Sequence, residues 1–184
     1  MKKWMLLSAL SFAVFARGAE IAVENMGISG ASSKAVIQKS LDKAVAASPE
    51  LTIVMVGTND MINSQALASF ADYEDNLRVI IAKLKTGGGK VIVVNLPPCA
   101  EELLFLRHKK EAFADLPPNE RIVRANEIIA KVCAQERVPM VDFYRAVADK
   151  GLDGKDSLLM IPANNPQSRD GVHPTAAGYE TLAR

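Results

Sequence analysis

The sequence predicts an α/β fold in which helices cover both faces of a mostly parallel sheet. From about residue 20 onward, short apolar runs of the kind found in buried strands alternate with longer segments of helical periodicity. The length of 184 residues suits one domain with one core. No internal repeat or low-complexity linker divides the chain, so we expect a single α/β domain.

Four segments read as strands. "EIAVEN" (20–25) is a short β-type run, and "VPMVDF" (138–143) is the last strand. Between them, "LTIVMVG" (51–57) and "KVIVVNLPP" (90–98) are nearly continuous apolar runs. Continuous apolar runs are typical of parallel strands that are covered on both faces.

Helical segments separate these strands. The first follows a cap at Ser32 or Ser33 and turns Ile37, Leu41 and Val45 inward. Two longer helices are predicted over 66–86 and 117–137, and a final helix over 174–184. The glycine run "TGGGK" (86–90) ends a helix and precedes a strand, so it predicts a turn and not a phosphate-binding loop.

The first 19 residues allow two interpretations. Two lysines, an apolar run over 4–16 and the small-residue pattern Val14-Phe15-Ala16 are typical of a secretory signal, which would make the protein secreted or periplasmic. The run is too short for a membrane span. Helical spacing of Trp4, Leu7, Leu10 and Val14 instead favours a core helix or a remnant of a first helix. Either way, we expect the domain to comprise residues 20–184.

The charge balance argues against some partners. A formal net charge of +1, from 22 basic and 21 acidic residues, indicates neither nucleic acid nor an anionic membrane as the main partner. The basic cluster 107–110 is interpreted as a solvated helical face. Cys99 and Cys133 lack metal-ligand spacing, so we expect no zinc site, and we expect no disulfide between them, although export would permit one.

Three motifs follow strands at the edge where parallel sheets gather functional groups: "NMGISG" (25–30), "GTND" (57–60) and "DGVHP" (170–174). The backbone N–H of Gly30 and the side-chain amide of Asn59 can bind an oxyanion together. Asp170 can orient His173 and stabilise its imidazolium form. Each motif alone fits a plain turn or cap, but together they predict a serine-esterase site that needs no metal or cofactor. The other histidine, His108, is interpreted as structural.

With these motifs the chain resembles the SGNH, or GDSL-type, hydrolases, a flavodoxin-like α/β/α group of esterases and lipases. "NMGISG" resembles their second block, which makes Gly30 an oxyanion donor, and "GTND" resembles the third, which does the same for Asn59. "DGVHP" resembles the fifth, with Asp170 as the triad acid and His173 as the base. The resemblance implies a three-layer sandwich that acts on small acyl esters, with O-acetylated carbohydrates first and lysophospholipids or other lipids second.

The first block of that family is absent, because the chain contains no Gly-Asp-Ser tripeptide. The nucleophile therefore stays unassigned, and Ser29, Ser32 and Ser33 are interpreted as turn and cap residues. In the family, the strand before that block is central, between the second and third strands. We therefore expect a sheet with its first central strand missing, as a truncated reading frame would produce.

Three functions are compatible with these observations. The leading one is ester hydrolysis through serine, with the segment 99–118 as a wall of the acyl or sugar pocket. The second is a non-catalytic protein that binds a glycan or acyl group. A flavin or nucleotide binder is disfavoured, because no glycine-rich phosphate loop follows a strand.

Overall fold

A computed structural model describes residues 2–7 and 21–184 of the chain. Its sheet has five strands, all paired in parallel, and helices flank it as the sequence predicts. The strands are β1 (Lys2–Leu7), β2 (Ile21–Asn25), β3 (Leu51–Val54), β4 (Lys90–Val94) and β5 (Met140–Val141). Their spatial order is β2-β1-β3-β4-β5. The α/β/α fold class is confirmed.

The prediction that the first central strand is missing is wrong, because strand β1 occupies a central position in the sheet. Strand β1 lies between β2 and β3, with Lys2 opposite Ile21 and Trp4 opposite Leu51. The apolar run near the N-terminus has the composition of a buried parallel strand, and this composition also fits the core of a signal peptide. Residues 8–20 lie outside the described residues, so the secretory signal stays a prediction.

Eight α-helices connect and cover the strands in the described part of the chain. They are α1 (Ser33–Lys39), α2 (Leu41–Ala46), α3 (Thr58–Ile62), α4 (Phe70–Thr86), α5 (Glu101–Leu104), α6 (Pro118–Glu136), α7 (Phe143–Ala148) and α8 (Ala176–Leu182), with a 3₁₀ helix over Lys110–Phe113. Ser69 caps α4 and Thr175 caps α8, each by accepting a backbone N–H. None of the helices in the described ranges is long and apolar enough to cross a bilayer.

The predicted helix after Ser33 is divided in two. Helix α1 ends at Lys39 and α2 begins at Leu41, with Ser40 between them. The hydroxyl of Ser40 donates to the carbonyl of Val36, at 3.3 Å between the two oxygens. Such a bond from a serine to the preceding turn competes with the helical ladder, which explains the break.

The core consists of two groups of buried side chains. The larger group packs α1, α2, α4 and α6 against the sheet, and it includes Tyr73, Leu77, Ile81 and Ile129. The smaller group surrounds Phe143 and contains side chains from β4, α7 and residues 158–161. These two groups fix the positions of the loops at the carboxyl ends of the strands.

Candidate active site

The three motifs converge on one pocket at the carboxyl ends of the strands. Gly30, Asn59 and His173 line it together, although they are far apart in the sequence. Apolar walls surround them and include Ile28, Met55, Pro97, Val172 and Tyr179. A pocket with apolar walls and a few converging polar groups is the usual form of a small-molecule site.

Gly30 presents its backbone to this pocket. Its φ angle of +72° is in the left-handed region that favours glycine, and a Cβ at this position would meet no other atom within 4 Å. In the described part of the chain, no group accepts a hydrogen bond from the Gly30 N–H. The Gly30 N–H is therefore available to a ligand.

Asn59 lies in helix α3, which starts after a glycine that cannot be replaced without strain. Gly57 has a φ angle of +125°, and a Cβ there would lie 2.5 Å from the hydroxyl of Tyr73. Asn59 Nδ2 donates to the carbonyl of Ala31 at 3.2 Å, and Asn59 Oδ1 accepts from Asn63 Nδ2 at 3.3 Å. Both bonds fix the orientation of the amide and leave its second N–H for another acceptor.

A buried network joins the loops of Gly30 and Asn59. Asp60 is completely buried, and its carboxylate accepts from the Ser33 N–H at 2.8 Å and from the Ser33 hydroxyl at 2.5 Å. Asn76 Nδ2 donates to the same hydroxyl at 3.0 Å. Burial raises the pKa of Asp60, while the bonds from Ser33 act in the opposite direction. This network fixes the start of α1 against α3.

Asp170 and His173 form a hydrogen-bonded pair. Asp170 Oδ2 lies 2.7 Å from His173 Nδ1, and Oδ1 accepts the backbone N–H groups of Val172 and His173 at 2.8 and 2.7 Å. Burial acts to raise the pKa of Asp170, but the bonds from His173 and Val172 hold it well below its usual range. The bond to Asp170 raises the pKa of His173. With Nδ1 on Asp170, Nε2 is the nitrogen left to exchange a proton.

Backbone bonds fix the loop that carries this pair. Met160 N donates to the His173 carbonyl at 2.8 Å, and Gly171 N donates to the Met160 carbonyl at 2.9 Å. On the other side, Ala100 N donates to the Gly171 carbonyl at 2.8 Å. The acid and the base are therefore held on a rigid loop.

Comparison with known proteins decides the family. The chain matches the GDSL-like Lipase/Acylhydrolase family over residues 8–181. It belongs to that family. No curated protein matched the chain.

Solved structures agree with this membership in fold. A lipase/acylhydrolase from Enterococcus faecalis is 20% identical, with a TM-score of 0.71 over 99% of this chain and 91% of that one. A GDSL-like lipase from Bacteroides thetaiotaomicron is 25% identical, with a TM-score of 0.64 over 88% and 71%. A catalytic mutant of the acetylxylan esterase Axe2 from Geobacillus stearothermophilus is 18% identical, with a TM-score of 0.69 over 100% and 90%.

The serines of this GDSL-family chain differ in their surroundings. Ser32 caps α1 by accepting from Ala35 N, as predicted, whereas Ser33 is buried in the Asp60 network and is not a cap. Ser29 is exposed and lines the pocket. The residue that follows strand β1 in the sequence is Ser8, which lies outside the described residues.

The segment 99–118 was predicted to wall the pocket, and this prediction is wrong, because none of its residues is among those that line it. The segment instead packs beside the loop of Asp170, and its Arg107 contacts that loop. The sequence does not predict this contact, because the basic cluster 107–110 has the pattern of a solvated helical face. Helix α5 ends at Leu104, and residues 105–108 form turns in which Arg107 N and His108 N both donate to the Leu104 carbonyl at 3.0 Å.

His108 is hydrogen-bonded, in agreement with its structural interpretation. Its Nδ1 lies 3.3 Å from the hydroxyl of Ser64 and accepts from Ser64 N at 3.4 Å. Cys99 and Cys133 are buried free thiols, and burial raises their pKa values to about 12 and about 11. In residues 2–7 and 21–184, no group of three or more His, Cys, Asp or Glu side chains could hold a metal ion.

Proposed function

We propose that this pocket hydrolyses small acyl esters by acyl transfer through a serine. The observation that supports this most directly is the shared pocket: Gly30, Asn59 and His173 line it together, and Asp170 Oδ2 lies 2.7 Å from His173 Nδ1. Oxyanion donors and an oriented imidazole are what the formation of a tetrahedral intermediate requires, and these residues can supply both.

The reaction would proceed in two steps. In the first, the serine oxygen attacks the ester carbonyl, His173 Nε2 takes the serine proton, and the Gly30 and Asn59 N–H groups stabilise the oxyanion. The protonated His173 then gives that proton to the departing alcohol. The first step leaves the acyl group on the serine oxygen. In the second step, His173 takes a proton from a water molecule whose oxygen attacks the acyl carbon. The bond to the serine oxygen breaks, and His173 returns the proton to that oxygen, so the acid leaves and the serine is restored.

Acetyl esters of carbohydrates are the substrate class that we place first, with lysophospholipids and other lipid esters second. One structurally similar protein is an acetylxylan esterase, although at 18% identity this likeness shows the fold alone. The low aromatic content of 5% offers few rings for a long acyl chain to pack against. We therefore expect acetyl esters to be preferred over longer acyl esters.

A second function is favoured by one specific observation, the absence of a Gly-Asp-Ser tripeptide. Without a serine in line for attack, the same donors would bind an acyl or glycan ester and leave it intact. Two serines remain to be tested as nucleophiles: Ser29, which lines the pocket, and Ser8, which follows β1 in the sequence.

Steady-state hydrolysis of p-nitrophenyl acetate by the whole chain separates these functions. For the hydrolase, we expect turnover that His173→Ala removes almost completely and that His108→Ala leaves within about twofold. Binding of acetylated xylooligosaccharides by calorimetry, without any turnover, would favour the second function. Neither turnover nor binding would contradict both.

A further inference from the structure

Arg107 makes a contact with the acid–base pair that the proposed reaction does not yet use. Its Nη2 donates to the backbone carbonyl of Asp170 at 3.0 Å and lies 3.8 Å from Asp170 Oδ1. The Arg107 side chain is 39% exposed, whereas that of Asp170 is 21% exposed. Arg107 is therefore a surface residue whose guanidinium extends to a half-buried carboxylate.

The two oxygens of that carboxylate have different partners. Oδ2 contacts His173 Nδ1, and Oδ1 accepts the N–H groups of Val172 and His173. Arg107 approaches from the Oδ1 side, so it does not compete with His173 for Oδ2. Its bond to the Asp170 carbonyl also connects residues 105–109 to the loop that bears the base.

Few charged or titratable groups face His173 in the described part of the chain. Asp170 contacts it from its own loop, Arg107 approaches from the segment after α5, and Tyr179 of α8 lines the same pocket. Arg169, the neighbour of Asp170 in the sequence, is exposed and lines a surface groove with Arg107 and Asp170, but no hydrogen bond or ion pair joins it to Asp170 in the described part of the chain. Arg107 is thus the cation that contacts the acid–base pair.

We infer that Arg107 is a positioning residue. It fixes Asp170, and it weakens the stabilisation that Asp170 gives to the protonated form of His173. A single carboxylate stabilises the imidazolium, and a base that stays protonated cannot accept the serine proton. A guanidinium beside the same carboxylate reduces this stabilisation by Coulomb repulsion of the imidazolium. The Arg107 charge indeed acts to lower the pKa of His173, against the larger effect of Asp170.

This inference rests on the proposed role of His173 as the base, but its test needs no turnover. The chain has only two histidines, so both rings can be followed by ¹H–¹³C NMR during a pH titration and assigned with His108→Gln. In Arg107→Gln, we expect the midpoint of His173 to move to higher pH, and in Arg107→Lys to stay near that of the wild type. The effect should become smaller at 1 M salt, because the pair is partly exposed.

Arg169→Gln is the matched control, since it removes the same charge from the residue next to Asp170. We expect its His173 midpoint to stay at the wild-type value. An unchanged or lowered midpoint in Arg107→Gln would overturn the inference, and so would equal shifts in Arg107→Gln and Arg169→Gln. A circular dichroism spectrum and melting curve of each variant show that the rings are titrated in folded protein. If the shift occurs but no ester is hydrolysed, only the proposed function fails.

Discussion

Asn59 is the residue whose side chain we propose as an oxyanion donor. Its amide is oriented by Ala31 and Asn63, which leaves one N–H for the pocket. Asn59→Ala should lower kcat by about 10²- to 10³-fold, as loss of one oxyanion donor does elsewhere, with little change in KM. Asn63→Ala, which removes the bond to Asn59 Oδ1 and an exposed bond from Gln65 N but no proposed donor to the oxyanion, is the control and should cost less than Asn59→Ala. A change in KM alone would make Asn59 a binding residue.

His173 should give the reaction its pH dependence. Its pKa is raised by the bond to Asp170, so at a given pH less of the neutral base is present than for an ordinary histidine. We therefore expect kcat/KM to fall as pH decreases, with a midpoint above 6.5, the usual value for histidine. Asp170→Asn should move that midpoint downward and also lower kcat. A midpoint that stays in place in Asp170→Asn would show that another group controls the profile.

The motif residues of the site could be predicted from the sequence, whereas the residues that contact and orient them could not. Gly30, Asn59, Asp170 and His173 could be selected because each stands in a short motif after a strand. Arg107 could not, because its contact with Asp170 spans 63 positions in the sequence and depends on where α5 ends. A basic cluster has the same pattern whether it faces solvent or a carboxylate.

Among the helices, the connection between α1 and α3 joins the segments that carry Gly30 and Asn59, the two proposed oxyanion donors. Asp60 of α3 holds the N–H and hydroxyl of Ser33, the first residue of α1. Asp60→Ala leaves both buried donors without this acceptor, so we expect unfolding free energy to fall by about 2 kcal/mol or more. Urea denaturation measures this.

Asp72→Ala is the control for that variant. Asp72 accepts from Ser69 in the first turn of α4, at an exposed position, so its loss should cost less than about 1 kcal/mol. Equal losses in the two variants would contradict a special role for the buried network. This network could not be predicted from the sequence, because Ser33 fits the pattern of a helix cap as well as Ser32 does.

For the whole molecule, the central strand is the feature that sequence reasoning missed. The sequence pattern of residues 2–7 was interpreted as part of a signal peptide or a helix. Apolar residues after two lysines fit a signal peptide, a helix and a buried strand equally well. The pairing of β1 with both β2 and β3 excludes a helix for Lys2–Leu7. The local sequence pattern could not identify this strand, because its pairing partners are residues far away in the sequence.

Proline substitutions test the place of β1 in the sheet. Leu6 pairs with Asn25 on one side and Ile53 on the other, so Leu6→Pro removes a ladder bond inside the sheet. We expect this variant to lose its cooperative melting transition and to bind hydrophobic dyes. Val23→Pro, in edge strand β2, should lower Tm by a smaller amount. Equal effects would contradict a central position for β1.

We propose that Gly30, Asn59, Asp170 and His173 form one esterase site with a serine. Covalent labelling with a fluorophosphonate, followed by intact mass and peptide mapping, tests this proposal. We expect one label per chain on a single serine, with labelling much slower in His173→Ala and unchanged in His108→Ala. Mapping identifies the serine, and Ser8→Ala or Ser29→Ala should then abolish the label. A chain that takes up no label, or that is labelled equally fast in His173→Ala, would exclude such a site.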